Sequence, residues 1–101
     1  MAAKILVIED DQDTMLFLRT VLEKNNYQVM EASDGLQGQE KLRSRAPDLV
    51  CLDLALPKKS GTELYCEMQA DAQLSQVPVV IVSVFMSRQD GHDYFQRLVY
   101  H

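Results

Sequence analysis

The stretch Val50-Cys51-Leu52-Asp53-Leu54-Ala55-Leu56-Pro57 decides the fold. It is a continuous apolar run that carries one carboxylate and is closed by a proline. Such a run reads as a strand buried on both faces of a parallel sheet. Pro57, with Gly61 shortly after it, turns the chain out of the strand. Asp53 is therefore expected at the carboxyl end of a central strand, where open α/β sheets bind their ligands. A lone charge in that position needs a partner, because burying it unpaired is costly.

The chain before this run supplies the rest of a sheet. Lys4-Ile5-Leu6-Val7-Ile8 is β-branched and apolar, a second buried strand. It stops at the acidic sequence Glu9-Asp10-Asp11-Gln12-Asp13. Met15, Leu18, Val21 and Leu22 then recur at helical spacing. Asp11 or Asp13 is suited to cap that helix, and Asn25-Asn26 ends it. Residues 27–32 alternate, as a half-buried edge strand does. Ser33-Asp34-Gly35 opens a second helix running to about Arg45, which Gly38 and Gln39 make a poor one. Beyond Gly61 a third helix covers residues 62–68, with Thr62 as its cap and Leu64 and Met68 as its apolar stripe. Residues 78–84 form another buried strand, ending at Ser83. The order βαβαβαβ predicts an α/β fold, a three-layer, doubly wound parallel sheet with helices on both faces. From Phe85 the pattern degrades. Residues 86–93 are polar and turn-like, and residues 94–100 suit a short strand or a helical turn.

Bulk properties narrow the function. A chain of 101 residues is one domain. Its net charge of −5, with no basic run, argues against nucleic-acid or membrane-surface binding. No stretch approaches the ~20 apolar residues of a membrane span. The start, Met1-Ala2-Ala3-Lys4, leads straight into a strand and has no signal-peptide character. Cys51 and Cys66 are spaced neither as a metal pair nor as a disulfide framework. They read as reduced core residues of a cytoplasmic protein.

All strands of a parallel sheet end on one side, so Glu9, Asp10, Asp53 and Ser83 are expected to converge. Clustered carboxylates repel one another and raise their own pKa values. A hard divalent cation relieves this, and Mg²⁺ takes oxygen ligands while keeping several waters. Asp10 and Asp53 suit it, with a backbone carbonyl just after Asp53 as a further ligand. Asp53 can then act as a nucleophile toward phosphorus, and the Ser83 hydroxyl can donate to a phosphoryl oxygen. Taken alone, Glu9-Asp10-Asp11 is only a helix start favoured by the dipole; together with Asp53 it becomes a site. Lys58 and Lys59 read as solvated residues of an exposed turn, with the alternative that either bends toward the phosphoryl group, and His92 and His101 read as surface residues.

The sequence resembles the receiver domain of two-component response regulators. The resemblance rests on residues 5–11, residues 47–57, Gly61 and residues 78–83, and covers roughly residues 4 to 84. It implies a flavodoxin-like fold and a phosphoacceptor, Asp53, charged by a sensor histidine kinase or a phosphotransfer protein. It implies Mg²⁺ held by Asp10, Asp53 and the Ala55 carbonyl, with Glu9 holding a metal-bound water. Ser83 becomes the switch hydroxyl. The whole chain, residues 1–101, is then a single receiver-like domain, matched over 1–84 and atypical over 85–101. Receivers close with a fourth helix, a fifth strand ending in Lys-Pro and a fifth helix. Here Arg97 stands in the lysine's place, and the interval after Ser83 is too short for the usual elements. Either the fourth helix is largely deleted, or residues 87–100 form it. The sheet, incomplete after the fourth strand, leaves apolar surface, from which a homo-oligomer is expected, with C-terminal segments exchanged in one version. The expected function is a stand-alone phosphoacceptor that signals through protein contacts. Its catalysis is limited to its own phosphorylation and dephosphorylation. The competing reading is a degenerate receiver that binds partners without phosphorylation. A hydrolase working through an aspartyl phosphate needs a second acid near Asp53, and Ala55 is not one.

Overall fold

A computed structural model of the chain describes residues 2–54, 56, 58–89 and 92–100, with only the backbone described over 83–89 and 92–100. Four strands, β1 (Lys4–Ile8), β2 (Gln28–Ala32), β3 (Leu49–Leu52) and β4 (Val79–Gln89), alternate with three helices, α1 (Gln12–Lys24), α2 (Gly35–Arg45) and α3 (Gly61–Ala70). A short 3₁₀ turn, Leu74–Gln76, precedes β4, and a further strand, β5 (His92–Tyr100), follows it. The sheet order is β2-β1-β3-β4-β5. The first four strands are parallel, with Ile8 level with both Ala32 and Leu52, and Leu52 level with Ile81.

Alternation along β1 sends Ile5 and Val7 to one face and Leu6 and Ile8 to the other. On the first face they meet Met15 of α1 and Cys51, with Leu18, Leu22 and Val29 alongside. On the second face Leu6 and Ile8 join Leu42 of α2, Leu64 and Met68 of α3, and Val50 and Leu52. Three layers result, as the βα alternation requires. The chain steps from β1 outward to β2, then crosses back to β3 on the other side of β1. The carboxyl ends of β1 and β3 therefore flank the switch point, where such sheets open a crevice.

Several local expectations hold and others need correction. Asp11 caps α1, its carboxylate accepting from the Thr14 N–H at 2.8 Å. Asn25 closes that helix and Asn26 follows with φ 68°. β2 is the half-buried edge strand expected. Helix α3 begins at Gly61 and its cap is Ser60, not Thr62; the Ser60 hydroxyl accepts from the Glu63 N–H at 3.1 Å. Cys51 is in the core but Cys66 is exposed, because it lies between the inward positions 64 and 68 and so points outward. Gly38 is not merely a weak spot in α2: a Cβ there would stand 2.6 Å from Ile8 Cδ1. The glycine lets α2 press onto β1.

β4 runs past Ser83 to Gln89, so Ser83 is not at a strand end. The physical reason is a change of partner. Pairing with β3 stops at Ile81, and β5 takes over antiparallel from Ile81 opposite Tyr100 to Gln89 opposite His92. Residues 87–89 and 92–100 therefore lie in strands and not in a helix. Antiparallel strands need only a short connection. Among the described residues no helix is long and apolar enough to cross a membrane.

Candidate functional site at the carboxyl ends of β1 and β3

The backbone holds the acidic residues in place before any side chain acts. Glu9 follows β1 directly, and its N–H donates to the Ala32 carbonyl at 2.9 Å. Asp53 follows β3, and its N–H donates to the Ile8 carbonyl at 3.1 Å. Each acid thus extends a ladder by one bond. After Asp53 the loop folds back: the Gly61 N–H donates to the Leu54 carbonyl at 3.0 Å. A Cβ at Gly61 would fall 2.1 Å from the Asp53 carbonyl oxygen, so only glycine permits this closure.

Carboxylate oxygens of Glu9, Asp10 and Asp53 all lie within 4.8 Å of one another. Glu9 is 4% exposed and Asp53 6% exposed, while Asp10 is open to solvent. Burial pushes the Glu9 carboxyl up to about 7. The Asp11 N–H, 3.0 Å from Glu9 Oε1, pulls it back down. The Asp53 charge, a hydrogen bond shared with Asp53 and the Asp10 charge raise it further. Asp11 itself is held below the usual carboxylate range, by the Thr14 hydroxyl and then the Thr14 N–H. It is the helix cap, not a member of the cluster.

The donor set fits a hard divalent cation. It consists of oxygen alone, and its exposed member leaves room for water. Opposed oxygens around Mg²⁺ stand about 4 Å apart, within the span of this cluster. Glu9 and Asp10 border a cleft of about 560 Å³ that also reaches Gln12, Ser33 and Gln37.

Other expected residues are placed less fully. Ala55 lies outside the described residues, as does Pro57. Ser83 and Arg97 are described by backbone only. Ser83 stands on β4, the neighbour of β3, just past the level of Leu52 and Ile81, and pairs with Leu98. Arg97 lies on β5 opposite Val84, two strands from β3. The lysines after Pro57 are not simply solvated: Lys58 Nζ stands 3.4 Å from Asp34 Oδ2, and Lys59 pairs with Glu67. In the sequence Asp34 announces only a helix start. Its signal was the Asp34-Gly35 pair, since a buried cap has a second carboxylate oxygen to place.

Fold and site together define a flavodoxin-like α/β domain with an acidic crevice at its switch point. The chain belongs to the response regulator receiver domain family, whose pattern it matches over residues 5–99. It is 32% identical to protein PilH of Pseudomonas aeruginosa over 105 aligned positions, covering 96% of this chain and 87% of PilH. It is 29% identical to the polar-differentiation response regulator DivK of Brucella ovis, covering 89% of this chain and 73% of DivK. Among solved structures it resembles the phosphorylated cyanobacterial phytochrome response regulator RcpA at a TM-score of 0.77 and 31% identity. That likeness covers 86% of this chain and 69% of RcpA. The family is one of two-component signalling proteins, not of conventional metabolic enzymes.

Proposed function

We propose that this chain accepts a phosphoryl group on Asp53 from a histidine kinase or phosphotransfer protein, in the cytoplasm, and signals through protein contacts. The observation that carries the reading is the convergence of Glu9, Asp10 and Asp53 within 4.8 Å at the switch point. The likeness to RcpA, a response regulator solved in phosphorylated form, supports it. An Asp53 oxygen attacks phosphorus, and the bond from phosphorus to the donor breaks with its electron pair leaving on the donor. Asp10 and Asp53, with the Ala55 carbonyl, would hold the cation, and Glu9 would orient a water beside it. Bound Mg²⁺ neutralises charge on the transferring oxygens. The Ser83 hydroxyl donates a hydrogen bond to a phosphoryl oxygen, and Arg97 supplies the positive charge that a lysine would otherwise bring, without its compact geometry.

The test is incubation with Mg²⁺ and a small acyl phosphate, followed by mass spectrometry. A gain of one phosphoryl group, absent in Asp53→Asn, is expected. A chain that never gains it returns the reading to a phosphorylation-independent binding module. Self-association belongs to the same proposal, because Leu16, Phe17 and Val21 of α1 are exposed and adjacent apolar surface favours contact.

A further inference from the structure

The loop from β3 to α3, which begins at Asp53, is tied to the start of α2. Asp34 is 5% exposed and divides its carboxylate. Oδ1 accepts the Gln37 N–H at 2.8 Å, capping α2, and Oδ2 faces Lys58 Nζ at 3.4 Å. Lys58 has φ 66°, a left-handed backbone that residues with side chains adopt only when their surroundings impose it. The adjoining contact is equally close: a Cβ on Gly35 would lie 1.9 Å from the Lys59 carbonyl oxygen. The far end of the loop is fastened to α3 through Lys59 and Glu67.

We propose that Asp34 is a positioning residue for the acceptor site. Through Lys58 it holds the loop after Asp53 in one conformation, so that breaking the pair weakens Mg²⁺ binding without unfolding the domain. This rests on the acceptor-site reading above. The Lys58 side chain is 64% exposed, and an ion pair with one solvated partner adds little to folding stability. Its effect is on which backbone conformation the loop keeps. Asp34 is placed for that role because its carboxylate is fixed by the helix it caps, so the lysine is drawn to a point that does not move.

The experiment uses Asp34→Asn, Lys58→Met, their double variant and Lys58→Arg in the full chain. Asparagine caps a helix about as well as aspartate, so α2 survives in the first variant. Two readouts are taken: amide hydrogen exchange by NMR without metal, and Mg²⁺ affinity by calorimetry. Both single variants are expected to exchange the Gly61 amide about two- to fivefold faster and to bind Mg²⁺ about two- to fivefold more weakly. The Asp53 amide, bonded within the sheet, keeps its protection. The double variant is no worse than the worse single one, as for partners in one interaction, and Lys58→Arg restores both readouts. A purely structural role for Asp34 would move the melting temperature and leave Lys58→Met silent. Additive effects, or single variants indistinguishable from a parent that binds Mg²⁺, overturn this proposal alone. A parent that binds no Mg²⁺ overturns the acceptor-site reading and this proposal together.

Discussion

Replacing Glu9 by glutamine removes a charge that the fold holds at a loss. Burial, helped by Asp53 and Asp10, pushes this carboxyl from the ordinary 4.5 to about 7. At about 1.4 kcal/mol per pH unit, that interval corresponds to a ceiling of order 3 kcal/mol. The sign follows from proton binding. Between 4.5 and 7 the folded chain keeps the proton that the unfolded chain has lost, so stability falls as pH rises. Below 4.5 both states are protonated, and above 7 both are ionised. The glutamine variant lacks the titration, and its amide oxygen can still accept the Asp11 N–H, now 3.0 Å away. Its advantage over the parent is therefore near zero at pH 4, grows through pH 6, and levels off above pH 7 at up to about 3 kcal/mol. Urea unfolding of both chains with chelator present, followed by circular dichroism from pH 4 to 8, measures the difference directly. Taking the difference cancels the other titrating groups. A gap that stays constant across this range, or a variant less stable at pH 8, would refute the claim that burial and like charge set the energy of Glu9. Mg²⁺ should then narrow the gap, because a ligand bound only by the folded parent stabilises it by mass action.

Three further outcomes follow from the packing. Gly61→Ala places a methyl group 2.1 Å from the Asp53 carbonyl oxygen, so the loop must shift; a loss of roughly 1–3 kcal/mol in urea unfolding is expected, together with lost phosphoryl uptake, and an unchanged midpoint would show the closure to be slack. Cys66 is exposed, whereas Cys51 is buried with its thiol pushed up to about 11; a thiol reagent should label Cys66 alone in the native chain and both cysteines in denaturant, and fast native labelling of Cys51 would contradict the core assignment. Sedimentation at micromolar concentration should show association that Phe17→Glu weakens, and a parent that remains monomeric removes the self-association proposal.

Much of this architecture is legible in the sequence because parallel strands are buried on both faces. β1 and β3 appear as unbroken apolar runs, and the acids that end them must emerge on the same side. The convergence of Glu9, Asp10 and Asp53 therefore needs only topology. What escapes is set by residues distant in the chain. Gly38 reads as a helix fault until Ile8 is seen against it, and no local rule pairs position 38 with position 8. Lys58 and Lys59 read as solvated because their partners, Asp34 and Glu67, come from two different helices. The α3 cap was readable: Ser60 with Glu63 three residues later has the spacing of a capping box, and Thr62 drew attention from it. The reach of β4 beyond Ser83 was masked by the polar residues after Phe85, since an antiparallel partner can sustain a strand that its own composition does not announce.

The acids are also where local energetics and the fold disagree. Much of the described chain follows its local rules: apolar faces meet, the three α-helices have capping side chains, and the lysines beside the loop find carboxylates. At the switch point like charges are brought together and partly buried, and the groups that act electrostatically on Glu9 are themselves acidic. A sequence free to optimise stability would place an amide or an apolar residue at position 9. Departures of this kind concentrate at functional sites. They also give stability and function opposite responses to the same change. If Glu9→Gln both raises the melting temperature and weakens Mg²⁺ binding, the disagreement is explained by what the site binds. If it raises both, the cluster is only a strained turn between a strand and a helix.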